Sequence, residues 1–382
     1  MSDITRIVFT GGISGGHTFP LVAVARALRK KFSLASSVGG RETEFLFIGS
    51  QGSFENDAMV QENIPTKYVL TGKWRRYFSL WNIVDPFKIP IGFIQALWYL
   101  LIFMPDAVFS KGGSASVPVV LAAWVYRIPV LIHDSDAVAG RANRFLARFV
   151  SRIAIAYPGA HNFFPIEKTI LTGNPIREEL LLGESDRFVK QFGLSLEKPI
   201  LLVLGGSQGA QTLNVAVLRI LPQLLEKNIQ VVHQTGNKNY ENVVSSVEAY
   251  GLKIGESGYV PKAFLSVLEL ADVLKVATLV LSRAGAGSIA ELAALKKASI
   301  LVPLLGAAND EQRMNAYDVA ALGGALVLED TNLGEHILLE KIQELLSQPE
   351  LMRSMGEKLF PFYHPDAADA IASGLYDLIE NK

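Results

Sequence analysis

The chain has 382 residues and a mass of 41.6 kDa, room for about two domains that each bury a core. With 49% hydrophobic and 19% charged residues it is not an intrinsically disordered chain. Lys+Arg (36) and Asp+Glu (37) nearly cancel, which argues against a generally basic nucleic-acid binder, and the absence of Cys excludes disulfides, thiolate catalysis and Cys-ligated metals.

The first predicted element is a strand around Ile7-Val8-Phe9, with no signal-peptide pattern before it. Gly11-Gly12-Ile13-Ser14-Gly15-Gly16-His17 leads from it into a helical pattern over Leu21–Lys31. Four glycines and a histidine in seven residues exceed what a tight turn requires. Glycine lets the backbone approach a bulky anion, and a helix start offers free N–H groups and partial positive charge. The loop lacks G-x-G-x-x-G and a Walker Lys-Ser/Thr, so it reads neither as a dinucleotide fingerprint nor as a P-loop. His17 at this helix start is kept neutral by the dipole and is a candidate general base; packing or capping is the other reading.

A second strand covers Phe45–Ile48. The following segment holds Lys73, Trp74, Arg75, Arg76, Phe78 and Trp81, cations and aromatics interleaved, which fits contact with an anionic membrane surface. A loop with anchoring rings is the competing reading, and nucleic acid a weaker one. The apolar stretch Ile89–Met104 is shorter than the ~20 residues a spanning helix needs and contains Pro90, Gly92 and Gln95. Residues 1–175 carry a net +7 and the remainder −8, which fits an anionic partner for the first half, such as phosphate or a membrane surface, and equally a chance surface imbalance.

Ala107-Val108-Phe109, then Gly112-Gly113, then a helix over Val117–Tyr126 repeat the strand, glycine turn, helix unit. Pro129–Ile132 is the next strand and leads to a helical pattern over Val138–Phe149. Between them lies His133-Asp134-Ser135-Asp136. Its two acids permit a divalent ion, but hydrogen bonding to a sugar, or orientation of His17, is the preferred reading.

The pattern restarts after Gly173-Asn174-Pro175. Ile200–Leu204 leads through Gly205-Gly206-Ser207-Gln208-Gly209 into a helix over Ala210–Leu225, with Ser207 placed to donate to a phosphate. Strands follow at Val231-Val232, Leu279–Leu281 and Ile300–Val302. Ser282–Ser288 is rich in small residues at a helix start, Ala286 and Gly287 included, which suits a diphosphate. Glu291, one turn in, either accepts from a ribose diol or simply complements the helix dipole; spacing alone favours the dipole. Asn309-Asp310-Glu311-Gln312, with Asn315, suits sugar hydroxyls or helix capping. A helical pattern over Asp366–Ile379 closes the chain. Uniformly apolar short strands alternating with helices predict an α/β chain of two doubly wound, Rossmann-like domains, with ligands at the carboxyl ends of the strands, facing across a cleft.

Taken in order, these motifs resemble one family, the N-acetylglucosaminyltransferases of peptidoglycan synthesis that make lipid II from lipid I (the MurG family). Ser14-Gly15-Gly16-His17 is similar to its T-G-G-H, and Leu131-Ile132-His133 with Ala139-Gly140 through Asn143-Arg144 to its H-E-Q-N-x-x-x-G-x-x-N segment. Thr172 to Arg177 resembles G-N-P-V-R, Leu204 to Ala210 L-G-G-S-Q-G-A, and His233 to Gly236 H-Q-T-G. Arg283 to Glu291 resembles R-S-G-A-x-T-x-x-E, and Gln312 with Asn315-Ala316 Q-x-x-N-A. The chain departs from the pattern at Ile13, where the family has Gly, at Asp134-Ser135-Asp136, which replaces E-Q-N, and at Glu311, which replaces Gln or His.

The resemblance implies a GT-B fold and inverting hexosyl transfer from UDP-GlcNAc to lipid I, with no cofactor required. It implies an acceptor-binding, membrane-associating domain over 1–173 plus a C-terminal helix at about 361–382, and a UDP-GlcNAc domain over 174–360. Ser14, Gly15, Gly16, Gly112 and Gly113 then meet the acceptor diphosphate, with His17 or Asp136 as base. The donor falls to Arg177, Ser207, Gln208, the backbone of Leu265, Ala286, Gly287, Glu291, Glu311 and Gln312. The implied location is the cytoplasmic face of the bacterial membrane, peripherally bound to an anionic surface, with cell-wall synthesis proteins as further partners. Rival readings are a GT-B transferase with another lipid acceptor, a UDP-GlcNAc 2-epimerase, and a nucleotide-sugar-binding protein without catalysis.

Overall fold

The computed structural model describes residues 4–12, 15–34, 41–50, 59–72, 81–206, 209–255, 258–306 and 308–381; the side chains of 15–17, 81–87 and 308 are outside that description. The chain divides into two compact units, Met1–Ile176 with His364–Lys382, and Arg177–Tyr363.

Among the described residues the first unit holds a parallel sheet of seven strands, β1 (Thr5–Thr10), β2 (Thr43–Gly49), β3 (Thr66–Tyr68), β4 (Ala107–Ser110), β5 (Val130–Asp134), β6 (Arg152–Ile155) and β7 (Thr169–Leu171). Their spatial order is β3-β2-β1-β4-β5-β6-β7, and Phe9 pairs with Phe47 on one side and Phe109 on the other. Every residue of β4 and β5 is buried, which is why their runs Ala107–Phe109 and Val130–Ile132 are continuously apolar instead of alternating, with polar residues only at the carboxyl ends. Successive side chains point to opposite faces. Ile7, Phe9 and Phe109 meet the helices Gly15–Leu34 and Ala367–Glu380, while Val8, Val108 and Ile132 meet Trp81–Phe103 and Ser116–Val125.

The C-terminal helix thus belongs to the first core. Ile371, Ala372 and Leu375 pack with Leu21, Val24 and Leu28, Phe32 meets Tyr376 at 5.1 Å, and Lys31 Nζ donates to Ser373 Oγ at 3.0 Å. Counting this segment with the first unit lowers that unit's charge excess to +4 and the second unit's to −5, so the asymmetry seen along the chain is partly an effect of where it was cut.

The helix expected over Val138–Phe149 is confined to Arg141–Leu146. Asp134 Oδ2 accepts from Gly140 N at 3.0 Å and Asn143 Nδ2 at 3.0 Å, which pins the helix start at Gly140; the apolar periodicity continues through a turn after Leu146.

The second unit repeats the plan with β8 (Ile200–Leu204), β9 (Gln230–Gln234), β10 (Tyr259–Lys262), β11 (Leu279–Arg283), β12 (Ser299–Val302) and β13 (Leu326–Val327), ordered β10-β9-β8-β11-β12-β13 and parallel throughout. In both sheets the winding reverses beside the first strand, between β1 and β4 and between β8 and β11. Such a switch point leaves the loops diverging at the carboxyl ends and opens a place for a ligand.

Candidate active site

In the first unit the loops after β1 and β4 meet at the switch point. A Cβ on Gly113 would lie 2.9 Å from Gly12 Cα, so Gly113 needs glycine for the loops to touch. Gly112 and Gly113 have φ of +80° and +85°, a conformation that favours glycine. Gly15 and Gly16 begin the helix Gly15–Leu34, and His17 lies in its first turn. Ser14, and Lys73, Trp74, Arg75, Arg76 and Phe78, which were expected at a membrane surface, lie outside the described residues, as do the side chains of His17 and Trp81.

The two acids after β5 differ. Asp134 is buried and spends its oxygens on Gly140 N, Asn143 Nδ2 and, at 3.4 Å, the N–H of Asp136. Burial, then the neighbouring Asp136, push its carboxyl up to about 6. Asp134 therefore organises the turn. Asp136 is half-buried, and of the two it is better placed to meet a ligand.

In the second unit the glycine loop after β8 folds against the end of β9. Gly209, at φ +77°, leaves no room for a Cβ beside the Thr235 carbonyl, and Gln234 Nε2 donates to the Gly206 carbonyl at 3.2 Å. Ser207 and Gln208 lie outside the described residues. Gln234 Oε1 also accepts from Leu265 N at 3.1 Å, so it is the carbonyl of Leu265, not its N–H, that can meet a base. The next helix, Val267–Val276, is fixed by a capping box between Ser266 and Glu269.

After β11 the helix Ala286–Ala294 starts at Gly285, which makes no side-chain cap, and Gly287 faces open space. Its first N–H groups are disposed toward an anion. Glu291 receives Arg177 as a fork, Nε to Oε1 at 2.8 Å and Nη2 to Oε2 at 2.9 Å, with both side chains mostly buried. Gln312 Oε1 accepts from Leu304 N at 3.0 Å, next to half-buried Glu311 on the helix Glu311–Ala321. Asn309 and Asp310 have φ of 55° and 59°, and Asp310, at the N-cap, makes no capping hydrogen bond, so the capping reading fails there.

Among the described residues, Arg283, His233 and Lys111 are buried polar side chains to which the sequence reading assigned no role of their own. Arg283 ties β11 to the carbonyls of Val302 and Pro303, to Asp330 at 2.7 Å and to Thr212 at 2.7 Å, and so holds three loop bases together. His233 lies between Tyr259 Oη and Asn214 Oδ1, each 2.9 Å away, and burial pushes it down to about 3. Lys111 follows β4 and is buried against His133. Such long-range pairs leave no local pattern in a sequence.

Two family models match the chain, the glycosyltransferase family 28 N-terminal domain over residues 7–155 and the C-terminal domain over 200–371. The UDP-N-acetylglucosamine–N-acetylmuramyl-(pentapeptide) pyrophosphoryl-undecaprenol N-acetylglucosamine transferase 2 of Bacillus anthracis is 36% identical over 354 residues, 92% of this chain and 95% of that protein. The chain belongs to glycosyltransferase family 28, in the MurG branch. The crystal structure of Acinetobacter baumannii MurG matches with a TM-score of 0.71 at 25% identity, covering 99% of this chain and 100% of that one, so this family 28 chain has the GT-B fold. A UDP-GlcNAc 2-epimerase from Neisseria meningitidis bound to UDP-GlcNAc matches at TM-score 0.66 and 15% identity over 98% of this chain and 100% of that one, a likeness of fold alone.

Proposed function

We infer that the chain transfers GlcNAc from UDP-GlcNAc to lipid I and so makes lipid II. The observation that carries this reading is the 36% identity, over 92% of the chain, to a transferase named for that reaction. The acceptor hydroxyl attacks the anomeric carbon of GlcNAc, its bond to the UDP oxygen breaks with inversion, and a base takes the hydroxyl proton. His17 and Asp136 are the candidates for that base. The second unit binds the donor: the helix start at Ala286-Gly287 stabilises the departing diphosphate, Arg177 orients Glu291 toward the ribose, and Gln312 with Glu311 meets the sugar. The first unit binds the acceptor diphosphate at its Gly11–Gly16 and Gly112-Gly113 loops. In this reading fixed backbone dipoles supply the charge stabilisation, and no divalent ion is needed.

The first unit also supplies the membrane contact. Ile91, Ile94, Trp98 and Leu101 follow one another at helical spacing on Trp81–Phe103 and are exposed, Ile94 at 65% and Trp98 at 60%. Phe93, Ala96, Leu97 and Leu100 pack inward, so the helix is apolar on both sides. Among the described residues no helix is long and apolar enough to cross a membrane. The exposed stripe fits an interfacial, peripheral attachment. The test is UDP release from UDP-GlcNAc with and without a short-chain lipid I analogue, repeated in EDTA. Acceptor-dependent release that survives EDTA is expected. Release without acceptor points to epimerase or hydrolase chemistry, and loss in EDTA overturns metal independence.

A further inference from the structure

Lys111 stands at the carboxyl end of β4, between Ser110 and the Gly112-Gly113 turn, and is only 2% exposed. Its backbone N–H donates to the Thr10 carbonyl at 2.9 Å, which joins it to the end of β1. Its ammonium lies 2.5 Å from His133 Nδ1 and donates to Ser135 Oγ. An ammonium can only donate, so His133 Nδ1 is the acceptor and the ring proton sits on Nε2. That Nε2–H donates in turn to the Gly173 carbonyl at 2.9 Å. Asn174 Nδ2 then closes the circuit on the Ser135 carbonyl at 3.0 Å. A single buried charge thus connects the ends of β4 and β5 with the segment through which the chain leaves the first unit.

The surroundings of the ammonium are one-sided. Asp134 and Asp136 attract it, while burial opposes its charge and brings Lys111 down to about 8. Asp134 is already committed to the turn, whereas Asp136 sits half-buried at its tip.

We propose that Lys111 is a positioning residue for the transfer reaction: it sets the tautomer of His133, clamps Ser135, and thereby holds Asp136 and the Gly112-Gly113 turn in place for the acceptor. The proposal rests on the reading of lipid I as acceptor. Lys111 itself is too buried to touch a substrate. Removing its donors in Lys111→Met leaves His133 Nδ1 a buried acceptor without its partner and strips the turn of its cation.

Two measurements test this in the full-length protein. Steady-state kinetics with UDP-GlcNAc and a short-chain lipid I analogue are expected to show kcat lowered about tenfold or more in Lys111→Met, the scale of a small misplacement of reacting groups, with KM for UDP-GlcNAc within about twofold. Lys111→Arg, which keeps a cation and donors, is expected to recover part of kcat. Nitrogen-15 histidine spectra, with His133→Gln for assignment, are expected to show a neutral Nε2–H ring in the wild type and loss of that preference in Lys111→Met. An unchanged kcat in Lys111→Met overturns the proposal, as does a His133 tautomer indifferent to Lys111. So does a parallel loss of donor affinity and activity, which marks a general structural role. Wild-type turnover of the analogue reports separately on the acceptor reading, and the spectra need no turnover at all.

Discussion

Glu291 shows how much a partner changes the meaning of a residue. From spacing it is a carboxylate one turn into a helix, adequately explained by the dipole. Arg177, 114 residues earlier, holds it by both oxygens at 2.8 and 2.9 Å, which fixes the rotamer in which the carboxylate can accept from a diol. Charge-assisted hydrogen bonds contribute about 1.5–3 kcal/mol each, so Glu291→Gln is expected to weaken UDP binding about 10- to 100-fold by calorimetry. An unchanged affinity would return Glu291 to a dipole role. His233 illustrates the opposite case, a motif histidine that proves to be structural. Asn214 Nδ2 donates to the Thr235 carbonyl, so Asn214 Oδ1 faces His233 and accepts from its Nε2–H, and Nδ1 accepts from Tyr259. Its pKa falls from 6.5 to about 3 on folding, so between these values the unfolded chain binds more protons. Stability is therefore full above pH 6.5 and is lost as pH falls toward 3. Linkage gives a loss of about 2 kcal/mol between pH 7 and pH 5. Asp134, raised to about 6, acts in the opposite sense over the same range, so the His233 contribution is read as the difference between wild type and His233→Gln in urea unfolding at the two pH values: the wild type should lose about 2 kcal/mol more than the variant.

At the scale of elements, the strands and their glycine turns were legible because a parallel sheet covered on both faces demands short apolar runs, and the runs at Ala107–Phe109 and Ile200–Leu204 stand almost unchanged as β4 in the first sheet and β8 in the second. Helix ends were less legible: the helix after β5 is cut to Arg141–Leu146 by Asp134, a side-chain contact that periodicity does not carry. The sequence reading put membrane contact on Lys73 to Trp81, whose side chains lie outside the described residues; a further exposed apolar stripe, proposed above for the same attachment, runs along Ile91, Ile94, Trp98 and Leu101. The signal was available, since a helix apolar on every side has one face more than its own core needs. Inserting an exposed side chain of this size into an apolar phase is worth about 1.5–3 kcal/mol. The double variant Ile94→Ser, Trp98→Ser is therefore expected to bind anionic vesicles about 100-fold more weakly in co-sedimentation. Its turnover of a short-chain soluble acceptor should be kept. Vesicle binding at wild-type strength would rule the stripe out as the attachment site.

For the whole molecule, the consequence of the chain's path is that one unit is continuous and the other is not. The second, Arg177–Tyr363, contains Arg177, Glu291 and Gln312, while the first is completed only when His364–Lys382 returns to it. The residues alone did not say where the last helix packs; the family resemblance implied the first domain, and the contacts of Ile371 and Leu375 with Leu21 and Leu28 place it in that core. Leu375 is fully buried, so Leu375→Ala deletes its transfer energy and leaves a cavity, a cost of about 2–5 kcal/mol. The loss should fall on the first unit alone, because the groups removed contact nothing in the second core. Urea unfolding of Leu375→Ala, monitored in parallel by tryptophan fluorescence and by UDP binding, is then expected to separate two transitions. All four tryptophans, Trp74, Trp81, Trp98 and Trp124, lie in the first unit, so fluorescence reports that unit, and UDP binding, with the donor site as proposed, reports the second. The fluorescence midpoint should move to lower urea while the UDP-binding midpoint stays where it is in the wild type. If both midpoints move together, the units unfold as one cooperative body, and the interrupted path of the chain couples the stability of the first unit to that of the second.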